Sequence, residues 1–221
     1  METLAPLTRR ALLGALAGGL AAGVLGIPRQ ATAAAQRGLF GSKEVMRDNP
    51  ARFPKWQGAL ERYFAETRLA ERPCTGGISA CQLQQWQAFL GSLAGQSPDR
   101  QIDAVHAEMN RRRYVLDPIN WNVPDYWESP GQFLARSGDC EDYGIAKFMS
   151  LRALGFPQER MRVVVLQDLN LGVAHAVMSI EHGGRTLILD NQVSRVVPDT
   201  AIRHYRPVYS VNETHWWLHR A

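Results

Sequence analysis

Apolar residues recur every three or four positions through the first half of the chain and alternate with polar ones through much of the second. Trp56, Leu60, Tyr63, Phe64 and Leu69 share one stripe and predict a helix. Leu83, Trp86, Phe89, Leu90 and Leu93 predict a second over 81–93, and Ile102, Val105, His106 and Met109 a third over 101–114. The run Arg111-Arg112-Arg113 suits the negative pole of that helix in solvent, and His106 reads as an ordinary core or surface histidine. Across 116–136, Pro118, Pro124 and Pro130 forbid a continuous helix, so the aromatic stretch 120–127 is expected as loop. A fourth helix over 140–154 is stopped by Gly155 and Pro157. Strands follow at 161–167, 172–181 and 186–191, the last two joined by the hairpin signal His182-Gly183-Gly184-Arg185. Val196-Val197 and 207–211 add short edges. Helices first and an antiparallel sheet afterwards define an α+β protein.

Composition narrows the class without changing that picture. With 45% hydrophobic and 21% charged residues in 221, the chain is neither disordered, collagenous nor coiled-coil. The net charge of +4 invites a nucleic-acid reading. Half of that excess lies in residues 1–33, where Arg9, Arg10 and Arg29 face only Glu2. The rest has no long basic run, so nucleic acid is not expected as a partner.

Residues 1–33 read as an export signal that is cleaved, leaving one domain over 34–221. Arg9-Arg10 runs into a mildly apolar Ala- and Gly-rich stretch, and Ala31-Thr32-Ala33 supplies small residues for a signal peptidase. The pattern is twin-arginine-like, with general secretion as the alternative route. An extracytoplasmic, periplasmic address changes how the three cysteines are read. Cys74 and Cys81 bracket a short Gly-containing loop and are placed for a disulfide, the alternative being two free thiols; Cys140 is then the odd one.

Cys140 follows Ser137-Gly138-Asp139 and opens a helix, where unpaired N–H groups favour a thiolate and can hold an oxyanion. A two-residue turn at Gly183-Gly184 pairs strand residues so that Asp190 lies opposite Val177, two residues from His175 on the same face. A histidine held by a carboxylate is what a cysteine nucleophile needs as its base. Asp139, Glu141 and Asp142 surround the cysteine and oppose its ionisation. A divalent cation on those oxygens would compensate, calcium being the natural choice outside the cytoplasm; helix capping by the same acids is the alternative.

The block Gly138-Asp139-Cys140-Glu141-Asp142-Tyr143, the His175 strand and Leu189-Asp190-Asn191 resemble the bacterial transglutaminase-like cysteine proteinases, and within them the LapG-type periplasmic proteases. The resemblance implies a papain-like, transglutaminase-like core with its helical half packed on an antiparallel sheet, and a triad of Cys140, His175 and Asp190. It implies calcium held by Asp139, Glu141 and Asp142. It further implies cleavage of a large surface adhesin at a pair of alanines, releasing cells from biofilm, under control of an inner-membrane cyclic di-GMP receptor. The Cys140 N–H is expected as one oxyanion donor and the indole of Trp121 or Trp127 as a second. Two other readings stand beside this one: an acyltransferase using the same triad, and a calcium-dependent binding module without turnover.

Overall fold

A computed structural model of the chain describes residues 38–69 and 78–221. The expected export signal at 1–33 and Cys74 lie outside the described residues. The helical stripes form as expected. Helix α1 (Pro54–Leu69) starts on a proline whose missing N–H costs nothing at a first turn, and it buries Trp56, Ala59, Leu60 and Tyr63 at helical spacing. Helix α2 (Ile78–Ser92) buries Leu83, Trp86 and Leu90. Helix α3 (Pro98–Asn110) starts three residues earlier than expected, because the Ser97 side chain accepts the Arg100 N–H and Pro98 occupies the first turn. It also ends four earlier, so the arginine run lies beyond the helix.

The proline-rich stretch is more ordered than a loop. Pro118 and Pro130 lie in the first turns of two short helices, α4 (Asp117–Asn120) and α5 (Pro130–Arg136), the latter closed by a capping box between Ser129 and Gln132, and Pro124 lies in the bend between them. Helix α6 (Cys140–Ala153) follows and is buried on nearly every side, from Asp142 to Leu151. Gly155 ends it at φ +92°, a backbone shape that other residues adopt at a cost.

The remaining elements form one antiparallel sheet of seven strands. In chain order they are β1 (Lys43–Asp48), β2 (Met161–Asp168), β3 (Val173–His182), β4 (Arg185–Leu189), β5 (Val197–Pro198), β6 (Tyr205–Val211) and β7 (His215–Arg220). Across the sheet they run β1-β7-β6-β2-β3-β4-β5. Strands β2 to β6 match expectation within a residue or two; β1 and β7 carry no pattern that announced them. Helix α6 packs on β2 and β3, where Met161, Val163, Met178 and Ile180 join the main core. A second apolar cluster unites Val164, Leu166, Val177 and Ile188 with Leu39, Ile202 and Tyr205. No helix among the described residues is long and apolar enough to cross a membrane.

Candidate active site

Cys140 is the first residue of α6, and the glycine two residues before it shapes the turn that puts it there. A Cβ on Gly138 would stand 2.1 Å from Asp142 Oδ2, so no side chain fits before the turn. The Gly138 carbonyl accepts the Val115 N–H at 2.9 Å, which ties the turn to the segment leaving α3. One helical turn on, a Cβ at Gly144 would lie 3.6 Å from the Val177 backbone, so α6 runs close against β3. The thiol is half-buried and faces the Ala176 N–H of that strand. Burial and then the neighbouring carboxylates of Glu141 and Asp139 push it well above the ordinary thiol range.

His175 and Asp190 meet as the hairpin register predicts. Met178 pairs with Leu189 and His182 with Arg185, which places Asp190 just past β4, beside Val177. His175 Nε2 donates to Asp190 Oδ1 at 3.0 Å, and both side chains are buried. Asp190 Oδ2 accepts the Tyr205 hydroxyl at 2.6 Å, and Oδ1 also accepts the Gln192 N–H at 2.9 Å. Burial opposes the Asp190 charge, yet these donors, His175 foremost, outweigh it and hold the carboxyl below its usual value. With Nε2 committed, Nδ1 is the ring nitrogen left to act as base; the Gln192 amide stands 3.5 Å from it. Tyr205 and Gln192 had no sequence signal, because each reaches the site through a bend or a strand that registers only in three dimensions.

The acids gather more widely than the sequence suggested. Oxygens of Asp117, Asp139 and Asp142 lie within 4.8 Å of one another, as do those of Asp117, Asp125 and Glu141. Asp117 and Asp125 come from the proline-rich stretch, and neither was expected. Asp142 differs from its neighbours: its two oxygens accept the Glu128 N–H at 2.7 Å and the Asp139 N–H at 3.0 Å, so it also fastens the turn. Asp117 Oδ1, Asp139 Oδ1 and Glu128 Oε2 are buried without a partner. Buried carboxylate oxygens left unpaired are costly. Burial first, and then Glu141, pushes Asp139 up to about 9, and burial raises Glu128 to about 7. A cluster of this kind fits a hard cation with oxygen ligands.

Neither tryptophan offers the oxyanion donor expected of it. The Trp121 indole N–H donates to Glu128 Oε1, and its ring lies under Arg136, 4.4 Å from the guanidinium carbon. Trp127 is packed into the main core. The Trp121 indole instead ties its own loop to Glu128. Cys81 is disulfide-bonded and Cys140 is free. Among the other histidines, His219 has more of a setting than its sequence neighbours implied. It is buried between the Ser42 and Ser210 hydroxyls, 2.9 Å from each, with Glu44 at 3.6 Å, and ties β1, β6 and β7 together.

A free cysteine at a helix start, against a strand whose histidine is held by a buried aspartate, defines a cysteine protease of transglutaminase-like build. The chain belongs to the bacterial transglutaminase-like cysteine proteinases, whose family model matches residues 71–219. Among solved structures it is similar to Legionella pneumophila LapG, with 30% identity and a TM-score of 0.59 over 72% of this chain and 87% of that one. The calcium-bound form of that protein gives 31% identity and a TM-score of 0.60 over 71% and 87%. Its EGTA-treated form gives 30% and 0.60 over 73% and 86%. No curated protein sequence matches the chain.

Proposed function

We propose that this protein is an exported, calcium-dependent cysteine endopeptidase that acts in the periplasm. Its substrate is a large surface adhesin, cut near a pair of alanines to control biofilm attachment. The observation that carries the reading is the Asp190–His175 pair, 3.0 Å apart, on the strand that faces the Cys140 thiol. In this reading the thiol proton passes to His175 Nδ1 and the sulfur attacks the scissile carbonyl carbon. The amine departs with that proton, leaving a thioester, and water activated at the same nitrogen releases the acid and restores the thiol. Asp190 keeps the imidazole in the tautomer whose Nδ1 is free.

Asp117, Asp139 and Glu141 would hold the calcium ion, with Asp142 in the same cluster. The unpaired buried oxygens of Asp117 and Asp139 support the assignment, as does the calcium-bound form of the Legionella relative. When bound, the ion supplies positive charge against the carboxylate field on Cys140. Substrate, compartment and an inner-membrane cyclic di-GMP receptor as regulator rest on the resemblance of the 138–143 block to the LapG-type proteases. The test is to incubate the chain from residue 34 with an adhesin N-terminal segment containing a dialanine, in calcium or in EGTA, and to map the fragments by mass spectrometry. One cut at the dialanine in calcium, absent in Cys140→Ala, is expected. Cutting by Cys140→Ala would overturn the protease assignment, and full activity in EGTA the calcium requirement alone.

A further inference from the structure

We propose that the extended polypeptide substrate docks by adding its main chain to the open edge of β3 at Ala174. The inference rests on the cysteine endopeptidase reading and says how that site takes its substrate. A two-residue hairpin closes on a hydrogen-bonded pair, here His182 and Arg185. Bonding direction alternates along a strand, so the even-numbered residues of β3 aim N–H and C=O toward β4 and the odd-numbered ones toward β2. Strand β2 covers its side of β3 completely, from Met161 opposite Ile180 to Asp168 opposite Val173. Strand β4 stops at Leu189, opposite Met178. The next even positions, Ala176 and Ala174, project past its end, and among the described residues no strand pairs with β3 there.

The Ala176 N–H faces the Cys140 thiol. Ala174 lies about 7 Å further along the strand, is exposed, and presents a donor and an acceptor on the same side as that thiol. An open strand edge is ordinarily blunted or covered, since it recruits other chains. Here it is kept next to the nucleophile. What it offers is main-chain pairing at strand spacing, and a peptide in extended form is the partner of that chemistry. A chain that continues the β4 direction past Ala174 and Ala176 brings a carbonyl group to Cys140. Beside the edge, Val173 and Leu171 are large, apolar and 49% and 61% exposed, a surface for the substrate's side chains. Asp168 holds the turn bearing Leu171 by accepting the Asn170 and Leu171 N–H groups at 2.8 and 3.1 Å.

The experiment uses two alkylating agents on the chain from residue 34. One is an epoxysuccinyl group carrying an alanine tripeptide on each side; the other is iodoacetamide, which needs no main-chain pairing. Thiolate opening of the epoxide forms a carbon–sulfur bond, breaks a carbon–oxygen bond and leaves the oxygen to take a proton from His175. Ala174→Pro deletes only an N–H that no strand uses, a replacement that open edges tolerate. It should slow the peptide epoxide about tenfold, the worth of one hydrogen bond, and leave the iodoacetamide rate on Cys140 unchanged. An unchanged peptide rate overturns the proposal. If the proline slows both reagents, wild-type protein decides: at least one of two peptide twins, N-methylated on one flank or the other, should lose about tenfold, and neither losing overturns it. A dimer in sedimentation that Ala174→Pro dissociates would give the edge to a second copy and also overturn it. A wild-type Cys140 inert to both reagents would remove the protease reading itself, a distinct result.

Discussion

Asp190 is fully buried, and a buried carboxylate keeps its charge only through what it accepts. Three donors supply that: the His175 ring, the Tyr205 hydroxyl and the Gln192 N–H. Tyr205→Phe removes one while keeping the ring that packs against His175 at 5.7 Å between centroids. A hydrogen bond to a charged group is worth about 1.5–3 kcal/mol, so the variant should lose stability of that order at pH 7. The sign follows from linkage. Asp190 is held below its unfolded value, so its stabilisation is present above the ordinary aspartate range and is lost as pH falls through the lowered value. The gap between variant and wild type in urea should therefore shrink in strong acid, and a gap independent of pH would count against the account. Gly138 carries a different constraint. Gly138→Ala forces a methyl onto Asp142 Oδ2, so the turn before Cys140 must open. A loss of about 1–3 kcal/mol, with slower iodoacetamide labelling of Cys140, is expected; wild-type melting and labelling would show that the turn yields freely.

Helix α6 acts as a ruler between the nucleophile and the aspartate. Two turns beyond Cys140, on the same face, the fully buried Lys147 ammonium donates to the Leu189 carbonyl at 3.3 Å. From α3, Asn110 donates to the Asp190 carbonyl at 3.0 Å and His106 sits 3.0 Å from the Val193 carbonyl. The bend that carries Asp190 and Gln192 is thus held from behind by two helices. Burial lowers Lys147 to about 7, against the opposing pull of Asp190. The unfolded chain then binds the extra proton between about 7 and the free-lysine value, so Lys147 penalises folding most at low pH, and the penalty fades as pH rises through that window. Lys147→Met should accordingly raise the urea midpoint more at pH 6 than at pH 10, while catalysis falls because the bend loses an anchor. A constant difference across pH would mean that the folded amine holds its proton as firmly as the unfolded one, and would overturn the account. Such elements were legible in unequal measure. Trp56, Leu60 and Tyr63 repeat at the helical period because one face of α1 meets the core, and the Gly183-Gly184 turn set a register that placed His175 beside Asp190. Strand β1 showed no alternation because most of its side chains stay in water, and β7 hides its burial behind His215-Trp216-Trp217. Lys147 read as one more charged residue, since nothing local reports that a helix will be buried all round.

At the scale of the whole molecule, the acidic cluster joins segments that the chain otherwise holds apart. Asp117 and Asp125 belong to the stretch between α3 and α5, and Asp139 and Glu141 to the start of α6. That convergence is why the sequence offered only the acids flanking Cys140: ligands from distant segments become neighbours only after folding. It also means that a bound cation would bind the native state and not the unfolded one, whose acids are scattered. Stability should then rise with free calcium by mass action, by about 2.7 kcal/mol at a hundredfold excess over the dissociation constant. For a domain of this size that is a melting midpoint about 5–10 °C higher. Asp117→Asn combined with Asp139→Asn keeps the shapes and removes the charges, so its midpoint should ignore calcium while Cys81 stays bridged. Calorimetry of both proteins over a calcium titration, with magnesium as the control ion that demands stricter octahedral geometry, makes the comparison. An equal shift in the double variant would place the ion elsewhere. No shift in wild type would leave the buried, unpaired oxygens of Asp117 and Asp139 to protons, consistent with the raised Asp139, and would detach the nucleophile's environment from calcium altogether.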